Sequence, residues 1–427
     1  MGALECGGED KQMAGTDART QGSIPPMTHS RLATWSMIGL AALAQNCALG
    51  VTFGSFGPLL PSLVREYDTS TGIAATAIGS AVLVMSLLSP LVGRWLARGS
   101  VRVVLIMGAL MDAAGFALLA VARDITEVIL IYAFFIGTGT CMLGALPAST
   151  LVSNWVVENR GRVLGLINMP ILLFCTPPAA AFVLGSFGMR ELFAGLAGLF
   201  VCCALAMTLV IDRAPRNMDE AETRQSLPHA SITSSEILMS RSFWLLSLGV
   251  GILAGTGTMI ITHIVPLAVE RSFSLEKASW LLSAFAAAGF IGAPLFGSIT
   301  DRLGTRRCLA FNAFILIFVI GGMILAEDYW ILLTLVVAAG ICINPVLALH
   351  GAAIAEFFGA SNVAAVFGMS YLPKLLFIFG SAPLAGFLFD LTGSYQLPLA
   401  VHMTAFIVAV IGFLLIPTIA RPPSRQL

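Results

Sequence analysis

The sequence predicts an all-α membrane protein, with about twelve transmembrane helices in two pseudo-symmetric six-helix bundles. Three observations carry this expectation. Of 427 residues, 57% are hydrophobic and only 11% charged, with a mean hydropathy of +0.91; a soluble domain carries about 25% charged residues. The apolar residues fall in continuous runs near the length of about 20 residues that crosses about 30 Å of hydrocarbon as helix, without the ten-residue alternation of barrel strands. An arginine-rich, glycine-bearing turn also occurs twice, about 200 residues apart.

Residues 1–30 contain Gly, Asp and Gln but no apolar core of seven or more, so they read as a disordered cytoplasmic tail rather than a signal peptide. The N-terminal bundle is expected over 31–212, with apolar runs near 35–60, 72–93, 103–122, 127–150, 163–186 and 192–211. The stretch 213–240, with Asp219, Glu220, Glu222, Arg224, Pro228 and a Ser/Thr cluster, reads as a cytoplasmic linker. The second bundle is expected over 241–420, with runs near 243–268, 278–299, 308–326, 330–352, 363–387 and 398–419, before a cytoplasmic tail at 421–427. Glycine and proline concentrate in corresponding spans of the two halves: Gly50, Gly54, Gly57, Pro58 and Pro61 in the first, and Gly137, Gly139, Gly144 and Pro147 in the fourth. The seventh has Gly249, Gly251, Gly255, Gly257 and Pro266, and the tenth Gly340 and Pro345. Small residues let helices approach closely, and a kinked helix survives in lipid only where a neighbour or a cavity satisfies the freed carbonyl.

With the N-terminus inside, Arg94, Arg98, Arg102, Arg160, Arg162, Arg213, Arg216, Arg224, Arg241, Arg302, Arg306 and Arg307 all fall on one face, against Arg65, Arg123, Arg190, Arg271 and Lys277 on the other. Lys/Arg excess in short loops marks the cytoplasmic side. The expected location is the cell (inner) membrane, multi-pass, with both termini cytoplasmic. The eight cysteines show neither CxxC nor Cys/His metal spacing, and read as small apolar fillers.

The second copy of the repeated turn is Gly297-x3-Asp301-Arg302-x-Gly304-x-Arg306-Arg307. Its spacing resembles the loop signature of the major facilitator superfamily, found after the second helix and again after the eighth. The first copy keeps Gly93, Arg98 and Arg102 but has Ala97 in place of the acid and Ser100 in place of the second glycine. The resemblance implies gating by Gly297, Asp301, Arg302, Gly304, Arg306 and Arg307, with Arg98 in the worn copy. It also implies that the first, fourth, seventh and tenth helices line a central cavity.

Lys374 stands deep in the eleventh run, with Ser370, Tyr371 and Ser381 at helical spacing on the same stripe. A cation at the bilayer centre costs about 2.5–3.5 kcal/mol, so such residues usually face an aqueous cavity and act there. Gly368-x-x-Tyr371-x-x-Lys374 resembles the eleventh-helix pattern of the oxalate:formate exchangers. Asn154-Trp155, Asn159-Arg160-Gly161-Arg162 and His263-Ile264-Val265-Pro266 resemble the wider monocarboxylate-porter branch. That resemblance implies a lysine holding a substrate carboxylate. In those relatives an arginine precedes a proline of the eighth helix; here Ala293 precedes Pro294, which favours a monoanion over a dianion.

The expected substrate-binding set is therefore Lys374, Tyr371, Ser370, His263, Asn46 and Asn344, and the proton-coupling candidates are His263, His350 and Asp112. Asp112 stands out because the third helix of such a fold is normally peripheral. No GxxxxGK[ST], HExxH or GxSxG motif is present, so ATP-driven pumping and metal or serine hydrolysis have no support. No cofactor, metal, catalytic residue or nucleic-acid partner is expected. The expectation is a monomeric secondary transporter, not an enzyme, moving a small organic anion, with a monocarboxylate first, by alternating access coupled to protons. A proton-driven efflux pump for hydrophobic compounds, uptake of a larger amphiphile such as a peptide or sugar acid, and a receptor-like sensor stand as alternatives. The efflux signature in the fifth span is not clear, since that span reads Cys175-Thr176-Pro177-Pro178.

Overall fold

Each long apolar run folds as helix because, in hydrocarbon, a helix satisfies its own backbone. The computed structural model describes residues 31–156, 160–212, 233–359 and 362–417. The expected tails 1–30 and 421–427, Asn159 and most of the expected linker (213–232) lie outside them. Among the described residues, twelve helices are long and apolar enough to cross a membrane. They are α1 (Leu32–Glu66), α2 (Thr71–Leu96), α3 (Val101–Leu119), α4 (Ile125–Trp155), α5 (Arg162–Ser186), α6 (Met189–Met207), α7 (Arg241–Glu270), α8 (Leu275–Leu303), α9 (Thr305–Leu325), α10 (Tyr329–Phe358), α11 (Val366–Thr392) and α12 (Gln396–Leu414). A short helix, Ser234–Met239, precedes α7 and opens on a capping box between Thr233 and Glu236.

Short polar residues end the spans where the chain leaves the apolar region. Ser70, Ser100 and Ser274 accept from the third backbone N–H beyond them, and Asp124 and Asp328 each accept from two such groups. Gly304 turns between α8 and α9 at φ 78°, a left-handed conformation that glycine adopts without a Cβ clash. At the far end of α7, the Arg271 guanidinium donates to the carbonyls of Met323 and Ala326, binding a cation to the C-terminus of α9.

Two clusters of buried side chains form. One is built on Phe56, Phe116, Phe193 and Phe200 of α1–α6, the other on Phe243, Phe285, Phe296, Phe406 and Phe413 of α7–α12. The halves meet through α2 with α11, α5 with α8, and α1 with α7. Where α2 meets α11 the approach is backbone to backbone: a Cβ on Gly386 would lie 2.6 Å from Gly72 Cα. At the same end Asp390 of α11 accepts from the N–H groups of Thr71 (2.9 Å) and Gly72 (2.7 Å) at the start of α2. These contacts lie at the end opposite the arginine turns, so the halves close there.

The breaks expected in the first, fourth and tenth spans are present. α1 carries a π-helical segment, Asn46–Val51; α4 carries another, Tyr132–Ile136, and breaks at Gly144. α10 is interrupted between Ile343 and Val346, at Asn344-Pro345. α7 differs: it runs unbroken through Pro266, and its glycines serve close packing instead. α5 breaks between Ile167 and Ile171, at Pro170, a break the glycine count did not single out.

Candidate functional site

The glycines of α7 set the site. A Cβ on Gly255 would lie 2.7 Å from the Phe377 carbonyl, and one on Gly251 3.3 Å from Lys374 Cα, so α11 lies directly on α7. This brings Lys374 to the wall of a cavity of about 230 Å³. Val250 and Ile261 of α7, Phe285 of α8, Leu347 of α10 and Ile378 of α11 supply its apolar surface; Thr258, Asn344, Tyr371 and Lys374 are its polar points. A second, apolar cavity of about 270 Å³ lies between α1, α5 and α6, with Glu191 among its lining residues.

Lys374 is only 2% exposed. Its Nζ lies 4.3 Å from the Tyr371 ring centroid and 4.8 Å from that of Phe367, so two π faces partly stand in for lost water. Its hydrogen-bond partner is His350 Nδ1 at 3.3 Å. Among the described residues no carboxylate pairs with it. A buried cation with aromatic neighbours and no counter-ion leaves room for an anion.

Of the six expected substrate residues, Lys374, Tyr371 and Asn344 line this cavity. Asn344 also donates to the Phe285 carbonyl (2.8 Å), which pins the break in α10 to α8. Ser370 is fully buried and spends its hydroxyl proton on Phe367 O (2.6 Å). His263 is not at the cavity. Its Nε2 donates to the Ala382 carbonyl (2.8 Å), which leaves Nδ1 to accept from the Tyr395 hydroxyl (3.0 Å). Both nitrogens are used in joining α7 to α11 and the start of α12, so the imidazole has none left for a ligand. Asn46 is likewise structural: it donates to Ala42 O (3.0 Å) and accepts from Leu172 N (3.0 Å), tying the π segment of α1 to the break in α5.

Asp112 is fully buried in α3, at a crossing so close that a Cβ on Gly139 of α4 would lie 2.3 Å from its Oδ1. Neither carboxyl oxygen has a hydrogen-bond partner among the described residues. It belongs to the first core rather than to the cavity, and the structure does not bring it to Lys374.

Both repeated turns lie at the end opposite the Asp390 contact, the open end. The carboxylate at the start of α9 is not Asp301, which is exposed and makes no hydrogen bond or ion pair with a described residue. Glu356 of α10 fills that position, accepting from Thr305 N (3.1 Å) and Thr305 Oγ1 (2.6 Å) at the start of α9. Arg306 donates to Ile416 O (2.9 Å) beyond α12; Arg98, Arg302 and Arg307 are exposed. In the first half Asp212 accepts from Arg102 N (2.7 Å) at the start of α3. Asn154 and Trp155 donate to the carbonyls of Asp212 (2.9 Å) and Ile211 (2.7 Å). Each arginine turn is thus held by a carboxylate of its own half. Glu356, Asp212 and Asp390 escaped the sequence reading; each is an acid at a span end, a position that spacing alone does not distinguish from solvated loop.

The family model of the Major Facilitator Superfamily matches residues 42–325 and 248–427. The chain belongs to that superfamily. It is an integral, multi-pass membrane protein. Among curated relatives it is 22% identical over 327 residues to Monocarboxylate transporter 12 of Mus musculus, covering 68% of this chain and 66% of that one. It thus spans just under two thirds of that relative's length. It is 24% identical over 293 residues to Multidrug resistance protein MdtG of Proteus mirabilis, covering 66% of this chain and 71% of that one. A solved bacterial homologue of the human lysosomal transporter Spinster, in an inward-facing and occupied conformation, shares the fold at TM-score 0.67 with 14% identity, covering 90% of this chain and 96% of that one.

Proposed function

We propose that this chain is a transporter that moves a small monocarboxylate, together with a proton, by alternating access. One observation carries the reading: Lys374, buried and without a counter-anion, faces a cavity whose remaining walls are largely apolar. An ammonium anchors one carboxylate, and pairing offsets the desolvation of both. The apolar walls fit a branched or aryl tail better than a second charge, and Ala293 supplies no second cation. Carrying a proton with the anion makes the step electroneutral and avoids about 2.3 kcal/mol per charge per 100 mV. The relative named as a monocarboxylate transporter supports this class.

The arginine excess places the open end in the cytoplasm, so the structure is read as inward-facing, in the cell membrane, with both termini cytoplasmic. In this reading two six-helix bundles, 31–212 and 241–420, rock about the cavity in a monomer, and the arginine turns with Asp301 form the inner gate.

Reconstituted protein is expected to accumulate labelled phenylacetate or 4-methyl-2-oxopentanoate under an imposed proton gradient. Lys374→Gln should lower the affinity by about tenfold or more, on the scale of a lost charged hydrogen bond, and Lys374→Arg by much less. Wild-type affinity in Lys374→Gln would overturn the assignment. Efflux of a neutral hydrophobic compound would then be the better reading, one that the largely apolar cavity and the multidrug-resistance relative favour.

A further inference from the structure

His350 is fully buried in the second half of α10, and its Nε2 has no hydrogen-bond partner among the described residues. Its Nδ1 faces Lys374 Nζ at 3.3 Å. An ammonium only donates, so Nδ1 holds the lone pair and the single imidazole proton resides on Nε2. The helices packed on this half of α10 are α7, α8, α9 and α11. α11 brings Lys374 and Tyr371 to the site, with Asp390 at the far closed end. α7 brings His263, both of whose nitrogens are used, with Arg241 and Glu270 at its ends. α8 has Glu276 and Lys277 at one end and Asp301 and Arg302 at the other. α9 has Arg306, Arg307 and Cys308 in its first turn, and Glu356 of α10 itself is bound to Thr305. Lys374 is the cation that meets the imidazole.

We propose that His350 is the proton carrier, and that the proton enters through Lys374; this rests on the anion-porter reading above. In the empty site the ammonium donates to Nδ1. When a carboxylate docks on Lys374, the bonded proton passes to Nδ1: the N–H pair stays on Nζ, and the Nδ1 lone pair forms the new N–H bond. Lys374 then takes a replacement proton from hydronium in the cavity water, and its three N–H groups turn to the carboxylate. Without the anion, the product would be two adjacent cations; with it, one of them is neutralised. Anion and proton therefore promote each other's binding, as linkage requires. The site carries one positive charge when empty (Lys374) and one when loaded (Lys374 and His350 less the carboxylate), so both crossings face the same membrane field. Release at the other face reverses the exchange, and Lys374 returns to Nδ1.

Titration calorimetry of the purified full chain, in buffers of different ionisation enthalpy, counts protons taken up with phenylacetate or 4-methyl-2-oxopentanoate. Wild type should take up about one proton per carboxylate, with affinity rising about tenfold per unit fall in pH while His350 is neutral. In His350→Gln, and in His350→Asn as a second variant, residual binding should take up no proton and lose its pH slope. Wild-type binding without proton uptake overturns the proposal with no variant needed. So does a variant that still takes up one proton, because Lys374 or another group would then carry it. Failure of wild type to bind either carboxylate, or equal binding by Lys374→Gln, overturns the anion-porter reading instead.

Discussion

Lys374 and His350 show what a residue alone reveals. A lysine mid-span is visible in the sequence because its insertion cost is large and local. Its pairing with an imidazole 24 residues earlier is not, because the break at Asn344-Pro345 resets the rotational phase of the helix half that carries His350. The same limit explains His263. By sequence it is one more histidine in a span; in three dimensions its two hydrogen bonds hold the closed end. His263→Leu leaves the buried Tyr395 hydroxyl unpaired, at about 1–3 kcal/mol, and removes the second bond on the Ala382 carbonyl. Its melting temperature should therefore fall by several degrees, while proton uptake per bound carboxylate stays at the wild-type count. A loss of proton uptake with unchanged melting would instead make His263 the carrier.

At the scale of the helix, twelve spans were legible because each continuous apolar run is its own signal. The observed limits extend past several of the expected ones, as in Leu32–Glu66 against 35–60. Hydropathy fades at the interface while the helix continues into it. Kinks were legible in α1, α4 and α10, where glycine and proline cluster, but not in α5, which breaks at Pro170, nor in α7, which packing keeps unbroken through Pro266. Contact between helices was the least legible feature: the sequence gives no hint that Gly72 and Gly386, 314 residues apart by number, touch across the two halves. That contact can be tested. Gly386→Val places methyl groups where Gly72 Cα stands 2.6 Å from a Cβ, so α2 and α11 must separate. Ala382, fully buried beside this contact, should become reachable as Ala382→Cys by a maleimide confined to the outer face, several-fold faster in the Gly386→Val background. Unchanged labelling would show that the contact is not what keeps this face shut, and labelling only from the inner face would reverse the proposed orientation.

For the whole molecule, the distribution of carboxylates at the two ends gives the proposed alternating cycle a physical form. At the closed end Asp390 bridges the halves by capping the start of α2. At the open end Asp212 and Glu356 each bind within their own half, and Asp301 is exposed and unpartnered among the described residues. A two-state carrier responds to whichever contact exists in only one of its states. Removing the cap with Asp390→Ala should cost the present state about 0.5–2 kcal/mol and shift molecules toward opening at the outer face. Removing the proposed inner latch with Asp301→Asn should cost the opposite state and hold more molecules as they are here, slowing turnover with little change in substrate affinity. The two residues lie at opposite ends of the molecule, so their effects should add, and the double variant should return toward the wild-type distribution. Spin-label distances across each face, in the same reconstituted preparation, measure all four populations. If both single variants move the distribution in the same direction, or if Asp301→Asn moves it not at all, the arginine turn is a structural loop of the second half and not the inner gate.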